Sequence, residues 1–353
     1  MKPPPTAAVI VPVYNGGKVL AKCLEGLLGQ VGPELEIIVV DDGATDTTPA
    51  IAQSFERRGI KCLRTTHRGA AAARNCGTQA ANPACQIILF TDADCVPTPD
   101  WAQKLIERLE KAGEKVAGVG GVYITAQRSR IARFSQTEFE ERYQRFKAEG
   151  RQPDFADTYS AAYHRELLQN YPFDEELPGA IVEDAELGWR LRRAGYTFLF
   201  EPDARVFHSH PESALFYFRR KFRIARWRAL LYKNYPGQLP ADSHTSQLAK
   251  VQMVLLTLFF LSLAVKPNPP NPLPYQGREK LRFNSALSRI GVLALLGLQL
   301  SYLPFARRCW RTDKRLALTS FYLLNLRTLA YTSGAIVGLI ELLLRIMSSK
   351  NRV

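Results

Sequence analysis

The chain has 353 residues and a formal net charge of +14, a length that suggests two domains, or one domain with an appendage. The positive charge implies an anionic partner: nucleic acid, an anionic membrane surface or a phosphate-rich substrate. Nucleic acid is the weakest of these, because the sequence has neither a zinc-finger spacing nor a ribonucleoprotein-type aromatic motif, and we expect none as a partner. The six cysteines form no Cys-x-x-Cys pair, and Met1–Pro5 lacks the apolar core of a signal peptide. We therefore expect reduced cysteines and an N-terminal domain in the cytosol.

Strand and helix patterns alternate from residue 7 to about residue 123. Short apolar runs predict buried strands, and amphipathic repeats between them predict helices. The predicted strands are Ala8–Val13, Leu35–Val40, Ile60–Leu63, Gln86–Thr91 and Val116–Ile124, and the clearest helices are Ala70–Ala81 and Trp101–Lys111. This order predicts an α/β fold, a mostly parallel sheet covered by helices on both faces. A charged helix Arg128–Arg151, Thr158–Tyr163, a helix Glu183–Ala194 and a strand Thr197–Phe200 complete the globular part.

The last third contains three apolar stretches, Val251–Val265, Ile290–Ala306 and Leu316–Leu344. The first two lie at the short end of what crosses a bilayer, where buried core helices compete. They are nevertheless apolar on all faces and separated by basic or proline-rich linkers, so the sequence predicts two to three transmembrane helices. Because both linkers are basic, the charge pattern gives no clean orientation.

A basic segment precedes these stretches, since Ser213–Tyr235 carries seven cations and no acid. Leu215, Phe218, Phe222, Ala225 and Ala229 lie along one helical line within it. This pattern favours an interfacial helix that contacts lipid headgroups or an acceptor's phosphate, and a basic helix packed at a domain edge is the alternative. The predicted division is 1–212 for a catalytic domain, 213–247 for the interfacial segment and 248–353 for the membrane region.

Polar motifs stand at the ends of the predicted strands and at the start of one helix. They are Pro12-Val13-Tyr14-Asn15, Asp41-Asp42-Gly43, Arg68-Gly69 through Ala73-Arg74-Asn75, and Asp92-Ala93-Asp94. Ligands in open α/β sheets bind outside the carboxyl ends of the strands, and carboxylate oxygens suit Mg²⁺ or Mn²⁺. Each motif alone also fits an ordinary turn or a helix cap, but four in one βαβα unit are hard to explain as independent turns.

A further acidic pair, Glu183-Asp184, opens a predicted helix. Acids in the first turn of a helix stabilise it through the helix dipole, and they form ion pairs such as that of Glu186 with Arg190. The functional alternative is a general base that takes a proton from an acceptor hydroxyl.

Taken in order, the motifs resemble those of the family 2 glycosyltransferases. The set is Val-Pro-Val-Tyr-Asn, Val-Val-Asp-Asp-Gly, Ala-Ala-Arg-Asn, Thr-Asp-Ala-Asp and Val-Glu-Asp-Ala-Glu-Leu-Gly-Trp-Arg, and it covers roughly residues 6–210. The resemblance implies a GT-A fold, an inverting reaction and a nucleotide-diphosphate sugar as donor. By motif position it implies that Tyr14 and Asp42 hold the base, that Pro12 and Arg74 line the nucleoside site and that Asp92 meets the ribose or diphosphate.

The same resemblance implies a divalent metal, Mg²⁺ or Mn²⁺, and a catalytic base. Asp94 would bind the metal most directly, with Asp92 as a less certain second ligand. His208 matches a histidine often found near the diphosphate, although a structural histidine explains it equally well. Asp184 would be the catalytic base, with Glu183 beside it.

One departure concerns processivity. Processive polysaccharide synthases of this family carry Gln-x-x-Arg-Trp near their membrane helices, and here Arg223 stands first in Arg223-Ile224-Ala225-Arg226-Trp227. With only two or three spans there is also little material for a polymer channel. We therefore expect single-sugar transfer rather than processive synthesis.

The resulting expectation is a multi-pass membrane glycosyltransferase with a cytoplasmic catalytic domain. It would transfer a sugar, most simply from a UDP-sugar, to a lipid or lipid-linked glycan for cell-envelope, exopolysaccharide or glycolipid synthesis. A non-catalytic membrane scaffold that binds nucleotide sugars or lipid is one alternative. An NAD-type oxidoreductase is another, but the sequence lacks Gly-x-Gly-x-x-Gly after the first strand.

Overall fold

The computed structural model describes residues 6–148, 152–177, 181–264 and 277–350. They divide into two compact units. The N-terminal unit comprises Met1–Arg128, Ser135–His210 and Ala241–His244, and the C-terminal unit comprises Ser129–Phe134, Pro211–Pro240 and Thr245–Val353. Residues 149–151, where a predicted helix was expected to end, and Val265, at the end of an apolar stretch, lie outside the described residues.

The N-terminal unit is built on one eight-stranded sheet of order β3-β2-β1-β4-β7-β6-β8-β5. The strands are β1 (Ala7–Val13), β2 (Leu35–Asp41), β3 (Lys61–Arg64), β4 (Ile87–Thr91), β5 (Cys95–Pro97), β6 (Val116–Ile124), β7 (Ser160–His164) and β8 (Thr197–His208). Strands β1 to β4 are mutually parallel, and β6 is parallel to β8. Strand β7 runs antiparallel between β4 and β6, and β5 runs antiparallel to β8. The predicted α/β class with a mostly parallel sheet is confirmed.

Helices cover both faces of this sheet. They are α1 (Leu20–Leu28), α2 (Thr48–Glu56), α3 (Ala70–Ala80), α4 (Trp101–Glu110), α5 (Arg130–Ala148), α6 (Arg165–Asn170) and α7 (Glu183–Arg193). Val9 and Val11 of β1 pack in one apolar cluster with α1, α2 and α4, while Ala8 and Ile10 pack in a second with α3, α6 and α7. Because β1 is buried on both faces, its sequence is apolar throughout rather than alternating.

Two features of the sheet differ from the sequence prediction. Strand β8 continues from the predicted Thr197–Phe200 to His208, and the short edge strand β5 was not predicted at all. The sequence Glu201-Pro202-Asp203 within β8 has the composition of a loop, and Pro97 in β5 is tolerated because that strand lies at the sheet edge. The extension matters because it carries His208 to a position opposite Cys95.

The C-terminal unit is helical. Its elements are α8 (Ala214–Leu231), α9 (Gln238–Ala241), α10 (Gln247–Ala264), α11 (Gly277–Ser301), α12 (Leu303–Thr312) and α13 (Lys314–Lys350). Within the described residues, Gln247–Ala264, Arg289–Thr312 and Lys314–Ser348 are long and apolar enough to cross a membrane. These helices suggest that the protein associates with a membrane.

The cation inside the third apolar stretch has a polar partner on another helix. Arg327 of α13 is buried and its Nη2 donates to Oε1 of Gln252, on α10, at 2.8 Å. Close by, the Tyr302 hydroxyl lies 3.0 Å from the hydroxyl oxygen of Thr328. Because polar groups in a bilayer are costly unless they find partners, such pairs favour association of these helices.

The basic helix α8 packs closely against α13. Gly334 faces the backbone carbonyl of Phe222, and Gly338 faces that of Arg226, one helical turn further along. A Cβ atom at either glycine would lie closer to these oxygens than carbon and oxygen can approach. Arg226 also donates to Glu341 at 2.6 Å. Part of the face considered for lipid contact is therefore covered by α13.

Gly338→Ala is expected to lower the thermal stability of the purified protein in detergent. The added methyl group meets the Arg226 carbonyl and the Ala229 side chain, and overpacking of this kind costs about 1–3 kcal/mol. Gly297→Ala is the matched control, because its Cβ would lie at an ordinary 3.7 Å from Leu255. Both changes gain similar helix propensity, so equal melting temperatures for the two variants would contradict the packing.

Candidate active site

The strand register brings the polar motifs to one edge of the sheet. Strand β1 pairs in parallel with β2, with Val13 opposite Asp41, and with β4 on its other side. Tyr14, Asp42 and Asp92 each follow the end of one of these three strands. The carboxyl ends of neighbouring parallel strands form the crevice in which α/β proteins bind ligands.

An exposed aromatic pair lies at this edge. The Tyr14 ring stacks on His67 with a centroid distance of 3.9 Å, and Tyr14 is 46% exposed. The next residue, Asn15, has a φ of 51°, and its side-chain oxygen accepts a hydrogen bond from the Thr45 backbone N–H at 2.8 Å. Sequence reasoning did not single out His67, although it also follows a strand end, that of β3.

Asp41, the last residue of β2, and Asp42, which follows it, are both buried. The Asp42 carboxylate accepts hydrogen bonds from the backbone N–H groups of Arg68 and Gly69, each at 2.8 Å, and so fixes the loop that leads into α3. Asp41 Oδ1 accepts from the Ala44 N–H at 2.8 Å. Asp41 Oδ2 is buried and forms no hydrogen bond in the described part of the chain, and Arg64 Nε lies 3.6 Å from it. A buried acceptor of this kind marks a place where a donor would be stabilising.

Arg74 connects three elements. Its side chain is 1% exposed, Nη1 donates to Oε1 of Glu183 at 2.6 Å, and Nη2 donates to Oδ1 of Asp92 at 3.1 Å. Helix α3, the end of β4 and the start of α7 therefore meet at one guanidinium. Pro12, predicted beside it in the nucleoside site, is half-buried within β1.

Asp184 lies in the first turn of α7, next to Glu183. Burial raises the pKa of Asp184 well above the usual aspartate range, Glu183 and Asp157 raise it further, and Arg74 opposes them. A carboxyl with a raised pKa is a stronger base once ionised, and enzymes tune general bases in this way.

A second buried charge cluster surrounds Asp157. Arg142 donates to Asp157 Oδ2 at 2.8 Å and to the Tyr159 hydroxyl at 3.2 Å. His244 Nε2 lies 3.3 Å from the same carboxylate oxygen, and its ring stacks on Phe155. Burial lowers the pKa of His244, which favours the neutral imidazole. Sequence reasoning recognised no pattern here, because the members come from segments far apart in the chain.

Three side chains near Asp92 can hold a divalent cation: Asp94, Cys95 and His208. His208 Nδ1 lies 3.5 Å from Asp94 Oδ1, and stacking on Tyr123 at 4.2 Å fixes the imidazole plane. The Asp94 carboxylate is 42% exposed, whereas Cys95 and His208 are buried behind it. An oxygen and a nitrogen donor with an open side fit a divalent metal that also binds a substrate, so the residues present match the expected ion. The Asp92 carboxylate faces Arg74 instead.

Comparison with known proteins identifies the N-terminal unit. Residues 8–171 match the family model described as glycosyl transferase family 2. The chain carries a family 2 glycosyltransferase domain. This glycosyltransferase is 28% identical over 236 residues to the glycosyltransferase AglE of Haloferax volcanii, covering 63% of this chain and 72% of AglE. It is 32% identical over 123 residues to the succinoglycan biosynthesis protein ExoO of Rhizobium meliloti, covering 33% of this chain but only 35% of ExoO.

A solved structure supports the fold. The mannosyltransferase PcManGT from Pyrobaculum calidifontis, determined in complex with GDP-Man and Mn²⁺, superposes with a TM-score of 0.54. The match has 20% sequence identity and covers 94% of this chain and 88% of that one. At this identity the likeness concerns the fold, and the predicted GT-A fold is confirmed.

Arg74→Gln is expected to destabilise the protein by about 3–5 kcal/mol, because the buried Glu183 carboxylate and the partly exposed Asp92 carboxylate would lose their cation. Denaturant-induced unfolding of the purified protein in detergent measures this loss. Arg58→Gln is the control, since Arg58 pairs with Glu25 on the surface, where ion pairs contribute little. If the Arg74 and Arg58 variants unfolded at the same denaturant concentration, the bridging role of Arg74 would be refuted.

Proposed function

We propose that this glycosyltransferase transfers one sugar from a nucleotide-diphosphate donor to a lipid or lipid-linked glycan, with inversion at the anomeric carbon. The observation that carries the proposal is the Arg74 bridge. It places the Asp92-Ala93-Asp94 motif and the Glu183-Asp184 pair on the same guanidinium. The groups that we propose for the metal and for the base therefore lie at one edge of the sheet, as a transfer between two bound substrates requires.

The nucleoside would lie at the ends of β1 to β3. The exposed Tyr14 ring, stacked on His67, offers a face to a nucleobase. Asp42 holds the loop beside it, and Asp41 Oδ2, which forms an ion pair with Arg64 but no hydrogen bond, would accept a ring N–H. Uracil and guanine both carry such an N–H next to a carbonyl, so a UDP-sugar, which the sequence favoured, belongs to the class that this site fits.

The diphosphate would lie at the end of β4. Asp94 and His208 would hold Mg²⁺ or Mn²⁺, with Asp92 oriented by Arg74 behind them. When bound, such an ion neutralises charge that develops on the departing diphosphate. The Asp94 carboxylate is partly exposed to solvent, so the nucleotide-sugar donor would approach the ion from that side.

Asp184 would accept the proton of the acceptor hydroxyl. As that proton moves to the carboxylate, the hydroxyl oxygen bonds to the anomeric carbon, and the bond from that carbon to the diphosphate oxygen breaks on the opposite face. Inversion follows, and no second nucleophilic carboxylate is needed. Asp157, whose charge raises the pKa of Asp184, and its partner Arg142 would form the acceptor side.

Transfer of one sugar is favoured over processive synthesis. Arg226, at the position that carries Arg in the processive motif, is held in an ion pair with Glu341 of α13. We retain 1–212 as the catalytic domain, 213–247 as an interfacial segment and 248–353 as the membrane region. The three candidate spans support a multi-pass membrane protein, and we propose that its catalytic domain faces the cytoplasm, where the cysteines stay reduced.

The function is tested by incubating membranes that contain the protein with labelled UDP- and GDP-sugars, with and without Mn²⁺ or Mg²⁺. The expected product is a lipid-extractable molecule extended by one labelled sugar, formed only with metal. A long polymer would favour the processive alternative. Neither transfer nor donor hydrolysis across the panel, by protein shown to be folded, would refute the proposal.

Asp184→Asn is expected to retain donor binding and to lose transfer by about 10²–10⁴-fold, because the amide cannot take the acceptor proton. Equilibrium binding of the nucleotide sugar and the transfer rate separate the two effects. Substantial transfer by this variant would exclude Asp184 as the base.

The transfer rate is expected to rise with pH through the raised pKa of Asp184, because the base works only when ionised. Asp157→Asn removes a neighbouring negative charge, so the rising limb should move to lower pH. Asp203→Asn alters an exposed acid of β8 and serves as the control. If the transfer rate rose over the same pH range in the native protein and in both variants, the coupling between Asp157 and Asp184 would be contradicted.

A further inference from the structure

Cys95 lies beside the proposed metal ligands but has no part in the reaction described above. It is fully buried on the edge strand β5, and the antiparallel pairing with β8 sets Cys95 directly opposite His208. Directly opposed residues in an antiparallel pair point to the same side of the sheet. Asp94 immediately precedes Cys95 in the chain, and the three side chains together supply an oxygen, a sulfur and a nitrogen donor.

The three donor atoms form a nearly regular triangle. Cys95 Sγ lies 3.7 Å from Asp94 Oδ1 and 3.9 Å from His208 Nδ1, and the oxygen and nitrogen are 3.5 Å apart. Tetrahedral Zn²⁺, with bonds of about 2.3 Å to sulfur and about 2.0–2.1 Å to nitrogen or oxygen, requires donor separations of about 3.3–3.6 Å. A contraction of a few tenths of an ångström would suffice, and the exposed Asp94 side leaves a fourth position open.

We propose that Asp94, Cys95 and His208 form a thiolate-containing site for a soft or borderline divalent cation such as Zn²⁺ or Cd²⁺. The Cys95 sulfur bonds to the ion and its proton passes to the solvent, with no change of oxidation state. Magnesium prefers oxygen and does not engage the thiol, whereas zinc and cadmium do. The same three residues therefore distinguish hard from soft cations.

The consequence for activity rests on the proposed function. An ion held by sulfur, nitrogen and carboxylate occupies the place proposed for Mg²⁺ or Mn²⁺, so Zn²⁺ or Cd²⁺ acts as a competitive inhibitor of the metal-dependent reaction. The site itself does not rest on that function, because it can be measured by metal binding alone.

The test is a titration of the purified, metal-free protein with Cd²⁺ alone, read by the ultraviolet sulfur-to-cadmium charge-transfer band. We expect one equivalent to give the band in the native protein, and Cys95→Ser to lose it. Cys23→Ser is the matched control: Cys23 is equally buried, but its Sγ donates to the Asp92 carbonyl at 3.6 Å and is not in the donor group. No band in the native protein, or a band that survives in Cys95→Ser, would overturn the proposal.

Two further variants keep the test decisive if Cys95→Ser folds poorly. Asp94→Ala and His208→Gln leave the thiol in place but remove another donor, and each is expected to weaken Cd²⁺ binding by at least about tenfold, since even second-shell changes cost that much. Unchanged affinity in both would overturn the site. Displacement of Mn²⁺ by Cd²⁺, followed by electron paramagnetic resonance, then tests the shared position. A charge-transfer band without any sugar transfer would refute the proposed function and leave the sulfur site standing.

Discussion

The active-site edge depends on a single buried cation. Arg74 forms ion pairs with Asp92 and Glu183. Arg74 and Glu183 are 109 positions apart in the chain. Burying one carboxylate is costly, and burying several together adds mutual repulsion. The guanidinium offsets both because its planar fork donates to two acids at once. The start of α7 is therefore held at the end of β4, and with it Asp184, the residue that we propose as the base.

The surrounding charges follow from this arrangement. Asp184 is surrounded by Glu183 and Asp157, which raise its pKa, while Arg74 and Arg142 limit the excess of negative charge. The Asp94 carboxylate, two residues after Asp92, is 42% exposed. Asp92 of the Asp92-Ala93-Asp94 motif is thus paired with Arg74, whereas Asp94 Oδ1 lies 3.5 Å from His208 Nδ1.

The helices of the C-terminal unit associate through different interactions. Helices that are apolar on all faces gain little from the hydrophobic effect inside a bilayer, so close packing and polar pairs must associate them. Gly334 and Gly338 let the backbones of α8 and α13 approach, and the Arg226–Glu341 and Arg327–Gln252 pairs satisfy charged groups. The cations of α8 are consequently divided between internal pairing and the surface.

Local patterns in the sequence were sufficient for the fold class and the family. Apolar runs marked strands β1, β2 and β4, because a strand buried on both faces is apolar along most of its length. The ordered motifs placed Tyr14, Asp42, Asp94 and Asp184 in one family pattern. Strand β5 and the second half of β8 were not predicted, since β5 is only three residues long and ends in proline, and Glu201-Pro202-Asp203 in β8 resembles a loop.

Only the tertiary structure decided which side chains meet. The stacking of His67 on Tyr14, the enclosure of Arg74, the Asp157–Arg142–His244 cluster and the position of Cys95 opposite His208 have no local signature. Cys95 and His208 are 113 residues apart, and their proximity follows from strand register. Periodicity reports how one segment is buried, whereas register and helix docking depend on all segments together. The sequence alone therefore determined what kind of protein this is, and the packing of distant segments determined the chemistry of its site.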